Sequence, residues 1–171
     1  PLVGTRVRIC NTQVSHLDLN ATAGEFTLQN VLVLAQGEEG LPQALRIRGG
    51  AGRVRIVNCT VTGARTAGVD LRQGAAPRMV NSIIWGNAEA FRVADSGGMF
   101  SHCCIQGGVP ETLEDQGGNF ADDPLFIRGT HGPCYLTRGR VGQSVASPCI
   151  DAGSELAAFA GLDERTTGSD N

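Results

Sequence analysis

The segment RIVNCTVT at residues 55–62 decides the fold, because its pattern recurs along the chain. Four further copies align with it without gaps: RICNTQVS at 8–15, TLQNVLVL at 27–34, RMVNSIIW at 78–85 and MFSHCCIQ at 99–106. They share one asparagine position, occupied by Asn11, Asn30, Asn58 and Asn81 and then by His102. The steps of 19, 28, 23 and 21 residues suit one turn of a β-solenoid with loops of variable length. They are too irregular for a propeller or a leucine-rich array.

Apolar residues flank each shared asparagine at positions that strand alternation directs to one side. Two residues before it stand Ile9, Leu28, Ile56, Met79 and Phe100, and three after it stand Val14, Val33, Val61, Ile84 and Ile105. One residue after it stand Thr12, Val31, Cys59, Ser82 and Cys103. We expect each set to form a buried column. Asparagine tolerates left-handed backbone, so the shared position predicts a bend whose side chains hydrogen-bond from copy to copy.

A second strand recurs between the bends, as LDLN at 17–20, LRIR at 45–48, VDLR at 69–72 and FRVA at 91–94. Its inward pairs are expected to be Leu17 with Leu19, Leu45 with Ile47, Val69 with Leu71, and Phe91 with Val93. The outward residues Asp18, Arg46, Asp70 and Arg92 alternate in sign. Stacked strands lie about 4.8 Å apart. We therefore expect one exposed charge ladder, in which each ion pair contributes at most about 1 kcal/mol.

These repeats predict an all-β fold, a right-handed parallel β-helix (β-solenoid) of about five coils with an irregular C-terminal cap. The coils are expected in residues 1–108, and a loop and capping segment of the same domain in 109–171. A helical turn is expected in the Ala-rich stretch at 155–165. The start at Pro1 looks like mid-strand, so we expect the sequence to be a piece of a longer stack.

The bends, followed by GNFADDPLF at 118–126 and SPCIDAGS at 147–154, resemble the C-terminal part of bacterial parallel β-helix repeat proteins. These proteins belong to the broad group with pectate-lyase-like architecture, and most have no assigned function. The DPLF and SPCIDAGS motifs are the most specific part of the resemblance. It implies a secreted or surface protein, located extracellularly, at the cell surface or in the periplasm.

Composition excludes several classes of function. The formal net charge is −3 and all 14 basic residues are arginine, so nucleic-acid binding and lysine chemistry are not expected. No apolar run approaches the ~20 residues of a membrane span. The six cysteines include no CxxC pair, which favours an oxidising compartment over a zinc site. We expect no cofactor, with calcium as the one candidate.

The outward arginines form the main candidate binding site. Arg46, Arg48, Asp70, Arg72 and Arg92 are expected on one outer face, where they form either a solvated charge ladder or a binding site for an acidic glycan. Lyases of the resembling group use carboxylates to hold Ca²⁺ and a basic residue to abstract a proton. Such a site needs clustered acids, whereas Asp18 and Asp70 are two copies apart, roughly 10 Å by the strand spacing. We therefore predict no catalytic residues.

Trp85 is the other candidate for contact with a partner. Beside Ile83 and Cys104 it should belong to an outward apolar column, which is either covered by the C-terminal tail or used for sugar stacking or partner docking.

Two acidic residues are calcium candidates. Asp122 and Asp123 fit either a Ca²⁺ site with Asp115 or Asp151, or a turn whose carboxylates cap backbone N–H groups. The histidines at 16, 102 and 131 are scattered. His102 and Cys103 are sequence neighbours that should point to opposite faces, which argues against a catalytic dyad.

Cys134 and Cys149 are expected to form a disulfide, because they bracket a tail with little regular pattern of its own. A loop of 15 residues would be stabilised by roughly 3 kcal/mol. The alternative is that all six cysteines are free thiols in a reducing compartment.

The sequence favours a non-enzymatic structural or adhesive segment of a secreted or cell-surface protein. Its partners would be other parts of the same larger chain, or a surface protein or glycan. The alternative is part of a carbohydrate-active enzyme, a polysaccharide lyase or glycosidase acting on acidic polysaccharide.

Overall fold

The computed structural model describes residues 5–22, 24–35, 42–50, 52–130, 132–138 and 145–154. Over these residues the chain is all-β, with fifteen strands and no helix. The strands are β1 (Thr5–Val14), β2 (Leu17–Asn20), β3 (Gly24–Leu34), β4 (Gln43–Arg48), β5 (Val54–Val57), β6 (Thr60–Thr62), β7 (Ala67–Arg72), β8 (Arg78–Val80), β9 (Ile83–Ile84), β10 (Glu89–Ala94), β11 (Met99–Ser101), β12 (Cys104–Ile105), β13 (Glu114–Asp115), β14 (Phe126–Gly129) and β15 (Gly132–Leu136). Because no described helix exists, none is long and apolar enough to cross a membrane.

The larger sheet has nine strands and is parallel throughout. Each copy of the repeat pairs with the next in the predicted register: Leu28 lies opposite both Ile9 and Ile56, and Met79 lies opposite both Ile56 and Phe100. The column that they form is buried, apart from the partly buried Ile9. The valine and isoleucine column that begins at Val14 is paired in the same way. The predicted core register is confirmed.

The predicted bends are also confirmed. Every shared position has a positive φ, close to +50° at the four asparagines and at His102, a conformation that asparagine adopts more readily than most residues. The bends curl the larger sheet. Among the described residues, the expected hydrogen bonding between bend side chains is found from Asn30 Nδ2 to Asn11 Oδ1 at 2.8 Å. Further along, Asn81 Oδ1 accepts from the backbone N–H of Ser154 instead.

The smaller sheet holds four parallel strands in the order β10-β7-β4-β2. Leu45 lies opposite Leu17 and Val69, and Phe91 lies opposite Val69. These side chains pack into the same hydrophobic core as the larger sheet. The two sheets therefore bury one set of alternating residues and direct the other set outward.

Parallel pairing extends beyond Gly108, where the sequence predicts a loop. Strand β13 pairs with β11, and Phe120 bridges to Cys104. Gly118 takes the bend position, with φ of +71° and a Cβ position only 2.7 Å from the ring of His102. The expectation that the coils end at Gly108 and are followed by a loop is therefore wrong for this part. Glycine replaces asparagine because it adopts positive φ without a side chain that would strike His102.

The C-terminal part is irregular, as expected. Strands β14 and β15 form an antiparallel hairpin, and a turn covers residues 148–151. The Ser147 N–H donates to the Thr137 carbonyl at 2.9 Å. The helical turn predicted at 155–165 lies outside the described residues.

Candidate functional site

The outward side of the smaller sheet, here called the arginine face, carries the predicted binding residues. Asp18, Arg46, Asp70 and Arg92 lie opposite one another on successive strands. A second row, two residues further along each strand, places Arg48 opposite Arg72. The predicted register of the charged residues is therefore confirmed.

Asp70 is buried, which corrects the expectation of an exposed row. Its side chain is only 1% exposed, because two arginines lie against it. Arg46 Nε donates to Asp70 Oδ2 at 3.1 Å, and Arg72 Nε donates to both carboxylate oxygens at 2.9 and 3.0 Å. A buried carboxylate needs such partners, since an unpaired charge is costly away from water. Asp70 therefore holds two guanidinium groups in place from beneath.

The ends of the row differ from the expected ladder. Asp18 accepts from Arg48 Nη2 at 2.9 Å, and Arg46 Nη1 approaches it at 3.9 Å. Arg92 lies opposite Asp70 in register but pairs with Glu89 of its own strand, at 3.8 Å. Ion pairs therefore connect the strands that carry Asp18, Arg46 and Asp70, but they do not extend to Arg92.

The arginine face keeps donors available to an anion. The side chains of Arg48, Arg72 and Arg92 are 38%, 42% and 43% exposed. An arginine has five N–H donors in a planar fork that matches carboxylate and sulfate groups, and the carboxylates beneath use only some of them. The same geometry suits cations poorly, because both oxygens of Asp70 already accept from arginine.

Trp85 does not belong to the arginine face. It directly follows β9 of the larger sheet, is half-buried, and donates its backbone N–H to the Val61 carbonyl at 3.2 Å. Trp85 therefore lies at the larger sheet next to β9, as the sequence predicts, and apart from the arginine face.

A groove of about 490 Å³ lies between the bends of the larger sheet and the C-terminal segment, defined as residues 132–138 and 145–154. One wall carries Asn58, Asn81 and His102, and the other runs from Cys149 to Gly153. Within the described part of the chain, Asn58 Nδ2 and His102 Nδ1 are buried without a hydrogen-bond partner. The outward Ile83 and Cys104 line the groove too, so the expected covering by the tail is found there.

Cys104 and Cys149 both line this groove, from opposite walls, and each thiol acts on the pKa of the other. A hydrogen-bonding interaction with Cys149, together with burial, raises the pKa of Cys104 far above its usual value. The same interaction lowers the pKa of Cys149, against the opposing effect of burial. All six cysteines, each within the described residues, are free. The Cys134–Cys149 disulfide expected from the sequence stays a prediction, and in this structure Cys149 lies across the groove from Cys104.

Two further cysteines are structural. Cys59 and Cys103 lie in the core at 2% and 0% exposure. Burial raises the pKa of each thiol to about 11. Cys103 Sγ donates to the Ser101 carbonyl at 3.3 Å, in keeping with the expectation that it forms no dyad with His102.

The calcium candidates act as turn residues. Asp123 Oδ1 accepts from the Leu125 N–H, and Asp115 Oδ1 accepts from the Gly117 N–H, both at 2.8 Å. Asp122 is exposed. No group of three or more histidine, cysteine or acidic residues that could hold a metal ion occurs among the described residues. His16 Nδ1 lies 2.9 Å from the Gln43 carbonyl, and His131 lies outside the described residues.

Comparison of the chain with protein-family models, with curated proteins and with solved structures found no significant match. Inference of the function therefore depends on the arginine face and the groove.

Proposed function

We propose that this chain is a stack of coils from a right-handed parallel β-helix. In this proposal it serves as a non-enzymatic structural and adhesive segment of a secreted or cell-surface protein. The arginine face binds an acidic glycan. The observation that carries the proposal is the set of part-exposed arginines held on a rigid sheet by the buried Asp70.

The parallel register of both sheets supports the solenoid. Each of the first four repeats contributes one strand to the smaller sheet, and all five contribute a bent strand, or two short ones, to the larger sheet. Every connection between successive parallel strands is then a crossover, and such crossovers are right-handed in about 98% of cases. The resemblance of the DPLF and SPCIDAGS motifs to those of bacterial β-helix repeat proteins also supports the solenoid. The same resemblance is the basis for the proposed surface location.

The chemistry of the arginine face supports an anionic partner. Stacked strands place neighbouring arginines about 4.8 Å apart along the stack. An extended polymer with a carboxylate or sulfate on each unit can thus meet several guanidinium groups in succession, which multiplies weak single contacts. Arginine prefers such planar anions, and bidentate pairing adds orientation to charge.

The pairing of the acids supports binding without catalysis. A lyase of the pectate-lyase kind needs carboxylates that are free to hold a cation beside a base. Here Asp70 accepts from two arginines and Asp18 accepts from Arg48. These carboxylates orient the arginines instead of receiving a metal ion.

The test compares the binding of polygalacturonate, an acidic polysaccharide, with that of neutral dextran by titration calorimetry. The double variant Arg48→Gln/Arg92→Gln removes two part-exposed arginines that do not contact Asp70. Its matched control is Arg55→Gln/Arg78→Gln, an exposed and adjacent arginine pair on the larger sheet.

The first variant should weaken binding at least about tenfold, equivalent to about 1.4 kcal/mol, while the control stays close to wild type. Binding should also weaken as salt rises, because the contacts are solvent-exposed. Equal losses in both variants, or equal binding of dextran, would exclude the arginine face as the glycan site. Release of unsaturated sugar products, followed by ultraviolet absorbance, would instead identify a lyase.

A further inference from the structure

The groove holds two thiols that come from opposite walls. Cys104 begins β12 and points outward, while its neighbour Cys103 points into the core. Cys149 lies in the turn of residues 148–151. The two thiols line the same groove and are close enough for each to shift the pKa of the other, so side chains 45 residues apart in the sequence come together there.

Both thiols are held where they are by other contacts. Cys104 Sγ also lies 3.2 Å from the Asp122 carbonyl oxygen. The turn that carries Cys149 is fixed on both sides. Before it, the Ser147 N–H donates to the Thr137 carbonyl, and after it the Ser154 N–H donates to Asn81 Oδ1, each at 2.9 Å.

We propose that Cys104 and Cys149 form a disulfide that fastens the C-terminal segment over the bends of the larger sheet. The other four cysteines are placed less well for this role. Cys59 and Cys103 are buried in the core, Cys10 lies on the strand of the first repeat, and Cys134 does not line the groove. The proposal stands independently of glycan binding by the arginine face.

The reaction is thiol–disulfide exchange with a small-molecule or protein disulfide as oxidant. The thiolate of Cys149 attacks one sulfur of that disulfide, forming a mixed disulfide and releasing one thiolate. Cys104 then loses its proton to solvent and attacks Cys149 Sγ, which releases the second thiolate of the oxidant. Two protein thiols are oxidised and one disulfide is reduced. Cys149 is the first nucleophile because the interaction with Cys104 lowers its pKa, which favours the thiolate.

The link would join the C-terminal segment covalently to the larger sheet. Among the described residues, the strand pairing of this segment is the β14–β15 hairpin, and the Ser154 N–H donates to the side chain of Asn81 at one of the bends. A disulfide that closes a longer loop restricts the unfolded chain more. The Cys104–Cys149 loop is longer than the 15-residue loop of the Cys134–Cys149 pairing expected from the sequence.

The test uses the full chain, equilibrated in a glutathione buffer and then alkylated, digested without reduction and analysed by mass spectrometry. The expected result is a peptide pair linked through Cys104 and Cys149 in wild type and in Cys134→Ser, and no such pair in Cys149→Ser. Oxidised wild type should lose roughly 8–16 °C in Tm on reduction, whereas Cys149→Ser should lose almost nothing.

Two results would overturn the proposal. One is a pair linked through Cys134 and Cys149 that disappears in Cys134→Ser. The other is complete alkylation of Cys104 and Cys149 after oxidation. If Cys149→Ser does not fold, wild-type protein with and without reductant still gives both the linked peptide and the Tm shift.

Discussion

Asp70→Asn tests whether the arginine face is built on one buried carboxylate. The substitution preserves the shape of the side chain and removes its charge, so Arg46 and Arg72 lose their shared partner. Hydrogen bonds to charged groups contribute about 1.5–3 kcal/mol each, and removing one partner of a buried pair costs about 3–5 kcal/mol. Both arginines are part-exposed and regain water. We therefore expect a loss near the lower end of that range, about 3 kcal/mol.

The control is Asp18→Asn on the same face. Asp18 is 31% exposed, and exposed ion pairs contribute less than about 1 kcal/mol. Urea unfolding followed by circular dichroism measures both variants. Raising the salt to about 1 M, where the Debye length falls to about 3 Å, should erase the effect of Asp18→Asn and leave most of that of Asp70→Asn. Equal losses in the two variants would refute the buried-anchor interpretation and restore the solvated ladder.

Two further predictions concern the bends and the buried thiols. Gly118→Ala should destabilise the fold by well over the roughly 1 kcal/mol of a left-handed alanine, because its Cβ would lie 2.7 Å from the His102 ring. The control is Gly117→Ala, because Gly117 has a φ of +90° and no atom near its Cβ position. This variant should lose only the free energy of the backbone strain. Equal losses of unfolding free energy in urea for the two variants would rule out the clash with His102. Burial raises the pKa of Cys59 and Cys103 to about 11, from 9.0. The contribution of these protonated thiols to the free energy of unfolding is complete below pH 9. It is lost as pH rises towards 11, which lowers the free energy of unfolding by about 2–3 kcal/mol per thiol. The double variant Cys59→Ala/Cys103→Ala should flatten this decline, and an unchanged slope would contradict it.

The core register could be predicted from the sequence because it depends on a local rule. Side chains in a strand alternate, so a single shared asparagine fixes which residues of each copy point inward. That rule places Ile56 opposite Leu28 and Met79, as observed. The rule does not depend on the loops, so the variable spacing between copies does not affect the predicted register.

The repeat at Gly118 was missed because its residue types differ from those of the other copies. Asp115 lies opposite Phe100, where every earlier copy has an apolar residue, and glycine stands in place of asparagine. One signal remained. Asn119 follows the bend and accepts from the Cys103 N–H at 2.9 Å, as Ser82 accepts from the Cys59 N–H. A side-chain acceptor just after the bend is therefore a feature that this repeat shares with the repeat at Asn81.

The burial of Asp70 and the meeting of Cys104 with Cys149 had no comparable local signal. Whether an outward carboxylate is exposed depends on how the neighbouring arginine side chains pack over it. The alternation of side chains along a strand does not determine this packing. The thiol pair depends on the path of an irregular segment. Sequence spacing favours the shorter Cys134–Cys149 loop, whereas the hydrogen bonds of Ser147 and Ser154 carry Cys149 to the bends.

The reduced strand pairing at the last repeat of the larger sheet explains why a disulfide there would stabilise the fold. Strand pairing shrinks along the stack, from nine residue pairs between β1 and β3 to two between β11 and β13. Short edge strands limit the pairing of one sheet with another, but they also give the last repeat few hydrogen bonds of its own. The hairpin and the turn that carries Cys149 lie beside this weakest repeat. A covalent link from Cys149 to Cys104, the residue that Phe120 bridges, would hold the last repeat and its cover together at the point where strand pairing ends.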